Sequence, residues 1–372
     1  MPPGAHPTPI RVLAVGASVR GGINRLLVAV RAELADHPLA DIRLRSLSTR
    51  ADGPGRLGGA IASPCIFVAA VVREIALLAT GRVDVVHVNL ASHGSAYRKL
   101  VIAACAAMFG VPYVIHLHGG NFRAFWSSCG AWLARRIDAM FEGASRIIVM
   151  SRSALDAVAE RLPACRAAIV VLPNAAPRGR PQTRDQNGRV RVLFLGKLGP
   201  LKGVGELVAA LDLLRSESAW SATIAGHGAV AETRATVGRL GLSARIAVPG
   251  WLGAAEVARA LESADVLVLP SYVENSPLAV IEAFAHGLAV VATPIGAVPE
   301  LIDDGHTGIL VPPGDARALA DALRRLIADP ALRRRLGANA NAFHERHLEI
   351  GAYVGRLADV WRAAAVRVDR CR

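Results

Sequence analysis

The stretch VRVLFLGKLGPLKG, residues 190–203, runs from an apolar, β-branched and aromatic segment into a turn punctuated by glycines, and a helical pattern follows it. A short buried strand ending in Gly and feeding a helix is the unit of a parallel α/β sheet. The same unit recurs toward the C-terminus, with strands expected at 220–226, 245–250, 265–271, 288–294 and 308–313. Toward the N-terminus it recurs at 10–18, 83–89, 111–119, 145–151 and 167–175, with helices over 23–36 and 97–109. Between the two series, residues 177–189 (PRGRPQTRDQNGR) contain no apolar side chain and read as a linker. The expected organisation is therefore a Rossmann-like domain over 1–176, a linker over 177–189, a second Rossmann-like domain over 190–345, and a C-terminal helix over 346–372. That helix either packs back on the first domain or caps the second. Two such sheets joined by one linker place a cleft between their carboxyl ends, where open α/β proteins bind ligands.

A chain of 372 residues, 52% apolar and 20% charged, has an ordinary globular composition. The net charge of +13 is uneven: residues 1–180 carry 21 basic and 10 acidic side chains, whereas 181–372 carry 22 and 20. A basic first half suits an anionic partner. Nucleic acid is disfavoured, because aromatics are only 5% and no recognition motif is present. Five cysteines, widely spaced and without a C-x-x-C pair, read as reduced core thiols. The N-terminus lacks a secretory pattern. The apolar stretches 58–72 and 100–114 are shorter than the roughly 20 residues of a membrane span and read as buried helices. A cytoplasmic protein, soluble or peripheral to a membrane, is expected.

The candidate site residues lie at strand ends. Lys197 and Lys202 sit on the glycine-rich turn after 190–196, and with Lys99 they are the only lysines in a chain with 43 Lys and Arg. A compact ammonium on such a turn, beside a helix start, suits a diphosphate. Next, Glu274-Asn275-Ser276-Pro277 precedes a helix expected from Pro277 to about His286, with Ser276 as N-cap. The amides of Leu278 and Ala279 then face an anion, flanked by the carboxylates of Glu274 and Glu282. In the first half, Gly16 to Gly22 forms a glycine-bearing turn, and His116 and His118 share one face of a strand. Zinc there would need a third ligand that the sequence does not place, so His118 is expected to make a polar contact across the cleft. Gly226-His227-Gly228 matches G-x-G-x-x-A, but no acidic residue follows about 20 positions later, which disfavours a dehydrogenase. Neither Asp-x-Asp nor a P-loop is present, so no metal is expected.

The run GKLGPLKG, then AGHG, then ADVLVLPSYVENSPLAVIEAFAHGLAVVATPIGAVPELIDDGHTGILVPPGD resembles the nucleotide-sugar domain of the retaining glycosyltransferases of family 4. The resemblance is strong over about 190–315 and implies the GT-B fold, two Rossmann-like parallel-sheet domains facing across a cleft. It implies that Glu274 contacts the hydroxyls of a donor sugar and Glu282 the ribose of its nucleotide. It also implies that Lys202 and Lys197 neutralise the diphosphate, with Lys197 standing where the family usually has arginine. Leu278 and Ala279 correspond to the phosphate-cradling turn, Gly226 to the family's AGHG segment, Gly21 and Gly22 to its glycine loop, and His118 to its cleft histidine. The segment HVNLASHGSAYRKLVI (87–102) is similar to members that assemble bacterial exopolysaccharides or capsules, where Arg98 and Lys99 would meet a lipid diphosphate.

The function implied is metal-independent, retaining transfer of a hexosyl unit from GDP-mannose or a UDP-hexose to a hydroxyl of a lipid-linked glycan in polysaccharide biosynthesis. The nucleotide sugar is substrate and no cofactor is expected. The basic first half would lie on an anionic membrane surface at its inner face. The competing readings are a nucleotide-sugar epimerase or other cleft enzyme, and a non-enzymatic anion-binding protein.

Overall fold

The structure, a computed structural model, describes residues 8–16, 22–49, 56–180, 188–217 and 219–366. The chain divides into two compact units, one formed by residues 1–173 with 350–372 and the other by 174–349. The first unit runs β1 (Ile10–Gly16), α1 (Gly22–Asp36), β2 (Ile42–Ser48), α2 (Arg56–Ala79), β3 (Val85–Leu90) and α3 (Gly94–Met108). It continues with β4 (Tyr113–Leu117), α4 (Phe122–Ser128), α5 (Ala131–Glu142), β5 (Arg146–Val149), α6 (Arg152–Arg161) and β6 (Ile169–Val171). All six strands are parallel, in the order β2-β1-β3-β4-β5-β6. Every residue of β3 and β4 is buried, as expected for strands covered by helices on both faces.

The strand β2 has no counterpart in the expected pattern. It is an edge strand with Arg43 and Arg45 exposed, so it needs only a partial apolar face and lacks the continuous run that marks a central strand. The stretch 58–72 forms most of α2, but Val68 and Val72 are 60% and 61% exposed, so this helix is covered on one side only. Within 100–114, Ile102, Ala103 and Ala106 are buried while Val101 and Met108 are exposed. Among the described residues no helix is long and apolar enough to cross a membrane. Cys105 and Cys165 are buried, whereas Cys65 is exposed and Cys129 half-buried, so only part of the thiol set belongs to the core.

The second unit runs β7 (Val190–Leu195), α7 (Val204–Leu213), β8 (Trp220–Ala225), α8 (Val230–Arg239), β9 (Ile246–Gly250), α9 (Ala254–Ser263) and β10 (Val266–Leu269). Then come α10 (Leu278–Ala285), β11 (Ala289–Ala292), α11 (Val298–Leu301), β12 (Ile309–Leu310), α12 (Ala316–Ala328) and α13 (Pro330–His347). Its six parallel strands follow the order β12-β11-β10-β7-β8-β9. The order reverses between β7 and β10, the topological switch point at which doubly wound sheets bind ligands. Residues 174–176 are fastened to this unit: Asn174 Nδ2 donates to the Ser276 carbonyl (2.6 Å), and the Ala176 amide donates to Leu348 (3.1 Å). The division thus falls three residues before the expected linker, whose residues 181–187 lie outside the described set.

The last helix, α14 (Ile350–Ala365), packs on α1, β1, β3 and β4 of the first unit. It buries Tyr353 and Trp361, the Trp361 indole donates to His87 Nδ1 (3.0 Å), and Arg362 makes a two-pronged ion pair with Asp41.

Candidate active site

In the second unit, the loops that follow β7 and β8 are stitched to each other. The Leu198 amide donates to His227 O (2.7 Å), and the Ala229 amide donates to Leu198 O (2.9 Å). Gly226 makes this approach possible, since at φ +153° a Cβ would lie 1.6 Å from the Gly196 carbonyl oxygen. Gly226 therefore shapes the loop beneath Lys197, and Lys197 itself is exposed, with no ion pair or hydrogen bond among the described residues.

Across the switch point, Lys202 and Glu274 meet. Lys202 Nζ donates to Glu274 Oε1 (2.5 Å) and to the Val273 carbonyl (3.1 Å), and Ser271 Oγ donates to the same carboxylate oxygen (2.8 Å). The Glu274 side chain is 9% exposed and that of Lys202 26%. Among the described residues nothing engages Glu274 Oε2 or the third ammonium proton of Lys202, which leaves both for a ligand. The two lysines are thus placed differently: one is exposed, and the other is held by the carboxylate expected to bind sugar.

The loop carrying Glu274 is braced on both sides. Thr293 Oγ1 donates to Ser271 O, the Tyr272 amide donates to Leu201 O (3.0 Å), and the Ala297 amide donates to Asn275 O (2.8 Å). Gly296, at φ +63°, lies against this loop, and a Cβ there would sit 2.3 Å from Glu274 O. Gly296→Ala is expected to lower stability by about 1–3 kcal/mol through strain and forced displacement of the loop. Urea unfolding measures this, and an unchanged midpoint would show that the loop is positioned by other contacts.

The helix after Glu274 begins one residue later than expected, because Ser276 does not cap it. Ser276 Oγ instead accepts the Asn174 amide (3.1 Å), and Pro277 takes the N-cap position without a side-chain bond. Leu278 and Ala279 become the first two helical residues. Val280 and Ile281 amides reach the Pro277 carbonyl, whereas the first two amides of a helix have no acceptor within it. Glu282 lies half-buried one turn further along α10.

In the first unit, His118 follows β4. Asn89 Nδ2 donates to Val15 O (3.3 Å), which turns its Oδ1 toward His118 Nε2 at 2.7 Å. His118 Nε2 therefore carries the proton and Nδ1 is left as an acceptor. Burial, reinforced by His87, pushes the His118 pKa down to about 3, so the imidazole is neutral. His116 is a core residue. Since an indole nitrogen only donates, Trp361 fixes His87 as an Nε2–H tautomer, which donates to His116 Nδ1 (3.3 Å). Asn89 and Trp361 lie outside the sequence expectations, although Asn89, like His87, is a polar residue within the apolar run of β3. His93, at φ 56°, caps α3 in a conformation uncommon for a residue with a Cβ.

Lys99 corrects an expectation. It is buried, and its Nζ donates to Gly16 O (3.2 Å) and Thr49 Oγ1 (3.0 Å), so it braces the carboxyl end of β1 rather than facing an acceptor. Burial, aided by the Arg98 charge, pushes its pKa down to about 7. Arg98 is half-buried on the same helix. Of the expected glycine loop, Gly22 opens α1, and Gly21 lies outside the described residues. Among the described residues, no group of three or more His, Cys, Asp or Glu is placed to hold a metal ion.

Comparison with known proteins bears on both units. The family model for Glycosyltransferase Family 4 matches residues 21–179, and that for Glycosyl transferases group 1 matches residues 189–329. The chain is 31% identical over 188 residues to an alpha-D-kanosaminyltransferase of Streptomyces kanamyceticus, a match covering 49% of each chain. It spans about half the length of the curated relatives it matches. In fold it is similar to sucrose-phosphate synthase from Thermosynechococcus elongatus, with a TM-score of 0.74 at 21% identity over 95% of this chain and 98% of that one. It is similarly close to Anabaena HepE in complex with UDP and glucose, with a TM-score of 0.71 at 18% identity over 95% and 100%. Two parallel six-stranded sheets, each matched by its own glycosyltransferase model, place the chain in family 4 of the glycosyltransferases, with the GT-B fold.

Proposed function

We propose that the chain transfers a hexosyl unit from a nucleoside-diphosphate sugar to a hydroxyl of a lipid-linked glycan, with retention at the anomeric carbon. The observation that carries the reading is the Lys202–Glu274 pair at the switch point of the second sheet, beside the free amides that start α10. A carboxylate with one oxygen held by Lys202 and Ser271 presents the other to sugar hydroxyls. A lysine with a spare proton and two unpaired helix amides suit a diphosphate. The structural neighbour described with UDP and glucose supports a nucleotide sugar as donor.

The difficult step in such a transfer is departure of the diphosphate, on which negative charge grows as the glycosidic bond opens. Lys202, Lys197 and the Leu278 and Ala279 amides would stabilise that charge, and one preorganised donor in an anion hole is worth about 3–4 kcal/mol. The acceptor hydroxyl attacks the anomeric carbon on the face the diphosphate leaves, and its proton passes to the departing phosphate oxygen. His118, neutral and with Nδ1 as an acceptor, suits a sugar hydroxyl better than a phosphate. The basic first half supports an anionic lipid acceptor and attachment to the inner face of the membrane. The reading assigns no metal and no cofactor.

The test is a panel of UDP-hexoses and GDP-mannose with lipid-extracted acceptor in the presence of EDTA, followed by proton NMR of the anomeric signal. One donor is expected to give an α-linked, lipid-extractable product, and Lys197→Ala is expected to lower kcat/KM for that donor about 10- to 100-fold. A β-linked product would overturn retention, and conversion of the donor without acceptor would favour an epimerase.

A further inference from the structure

A second, strongly basic site lies at the opposite edge of the second sheet. Lys202 and Glu274 follow strands, whereas a cavity of about 660 Å3 is lined by residues that precede them: Arg189 before β7, Asp265 before β10 and His286 before β11. Because the strands are parallel, strand starts and strand ends form opposite edges, so this cavity is distinct from the proposed donor site.

Five arginines line the cavity. Arg333 is engaged with the Leu326 and Ile327 carbonyls that end α12. The other four, Arg178, Arg180, Arg189 and Arg334, make no ion pair or hydrogen bond with any described residue. Of the two lining carboxylates, Asp265 is already held by the Arg191 amide and guanidinium, which leaves Glu345. An excess of guanidinium groups around one concavity is self-repelling until an anion enters, and guanidinium forks match phosphoryl oxygens two at a time.

A second observation points the same way. His344 lines the cavity, is 0% exposed, and donates from Nε2 to the Ala176 carbonyl (3.0 Å). That fixes Nδ1 as an acceptor, and Nδ1 is buried with no donor among the described residues. A phosphoryl hydroxyl supplies such a donor, and its ionised oxygens supply what the arginines lack.

We propose that this cavity binds a small free polyanion carrying at least two phosphoryl groups. Four unengaged guanidinium groups match two phosphoryl groups held by two arginines each, and the volume is that of an ordinary small-molecule site. A recessed site with a buried imidazole suits a free molecule rather than a membrane surface. The lining takes in residues 178–180, which follow the first chain crossing between units at 173/174, and His344 and Glu345 of α13, which precede the second at 349/350. An occupant therefore ties residues 178–180 to α13.

Inorganic pyrophosphate is the probe, titrated calorimetrically into the full chain, with hydrogen exchange followed in parallel. The Lys197→Ser variant, altered at the proposed donor site, is expected to keep one pyrophosphate, and the Arg178→Ser/Arg334→Ser variant is expected to lose at least tenfold in affinity for it. In the wild-type chain, pyrophosphate is expected to slow exchange over 178–180 and 330–346, a readout that stands even if the double variant does not fold. Cosedimentation with phosphatidylserine vesicles is expected to be equal for wild type and double variant. Unchanged pyrophosphate affinity in the double variant, protection confined to 196–203 and 274–280, or loss of vesicle binding in place of pyrophosphate binding would each overturn the proposal. None of these measurements involves transfer, so the failure of this proposal and of the transferase reading are distinguishable.

Discussion

Glu274→Ala is expected to lower kcat/KM for transfer about 10²- to 10³-fold, the scale of removing one preorganised group from a charge-stabilising site. The substitution acts twice. It deletes Oε2, the oxygen proposed to meet sugar hydroxyls, and it deletes Oε1, which holds Lys202 and Ser271. Lys202 keeps only the Val273 carbonyl and gains freedom to swing away from the diphosphate. Because the leaving-group charge develops only as the bond breaks, most of the loss should appear in kcat. Glu274→Gln separates the two effects, since its amide oxygen can still accept from Lys202 while the negative charge is lost. If glutamine restores the donor KM but not kcat, the charge contributes to the transition state. A Glu274→Ala variant that folds by circular dichroism and transfers at the wild-type rate would remove Glu274 from the site.

Much of this site is legible in the sequence, because its parts are fixed by local sterics. Gly226 and Gly296 are glycines because another backbone passes where a Cβ would be, and they sit in runs whose strand–turn–helix rhythm is plain. What was not legible depends on partners distant in the chain. Ser276 reads as an N-cap, but Asn174, 102 residues earlier, takes its hydroxyl and shifts the start of α10 by one residue. Lys99 reads as a cation that meets an acceptor, yet the Gly16 carbonyl and the Thr49 hydroxyl, themselves hydrogen-bonded to each other, both accept from it in the core. β2 was missed because an edge strand with arginines at alternate positions has no apolar run to betray it. The tautomer of His118 follows from Val15 and Asn89, a relation that no spacing along the chain encodes.

Lys99 has a neighbour that makes the first unit's stability depend on pH. Glu74 on α2 is 0% exposed, and neither carboxylate oxygen has a hydrogen-bond partner among the described residues. Burial pushes its pKa up to about 8, against the opposing pull of the Lys99 charge. Between its unfolded value of 4.5 and about 8, the folded chain holds a proton that the unfolded chain releases. The contribution is fully present below pH 4.5 and is lost as pH rises through that window, by about 3 kcal/mol between pH 4.5 and 7. Lys99 has the opposite sign: with its folded pKa lowered from 10.5 to about 7, its contribution grows as pH rises between those values. The slopes oppose each other near pH 7–8, and below pH 7 Glu74 acts without Lys99. The buried His87, His116 and His118 add a rising limb at acid pH, because their folded pKa values are lowered, but that limb is common to wild type and variant. The difference between wild type and Glu74→Gln is therefore the clean readout. Urea unfolding at pH 5, 6 and 7 is expected to show the wild-type chain losing about 2–3 kcal/mol relative to Glu74→Gln across that range. A constant difference would mean that Glu74 is ionised in the fold, paired electrostatically with a charged Lys99 in place of a neutral carboxyl.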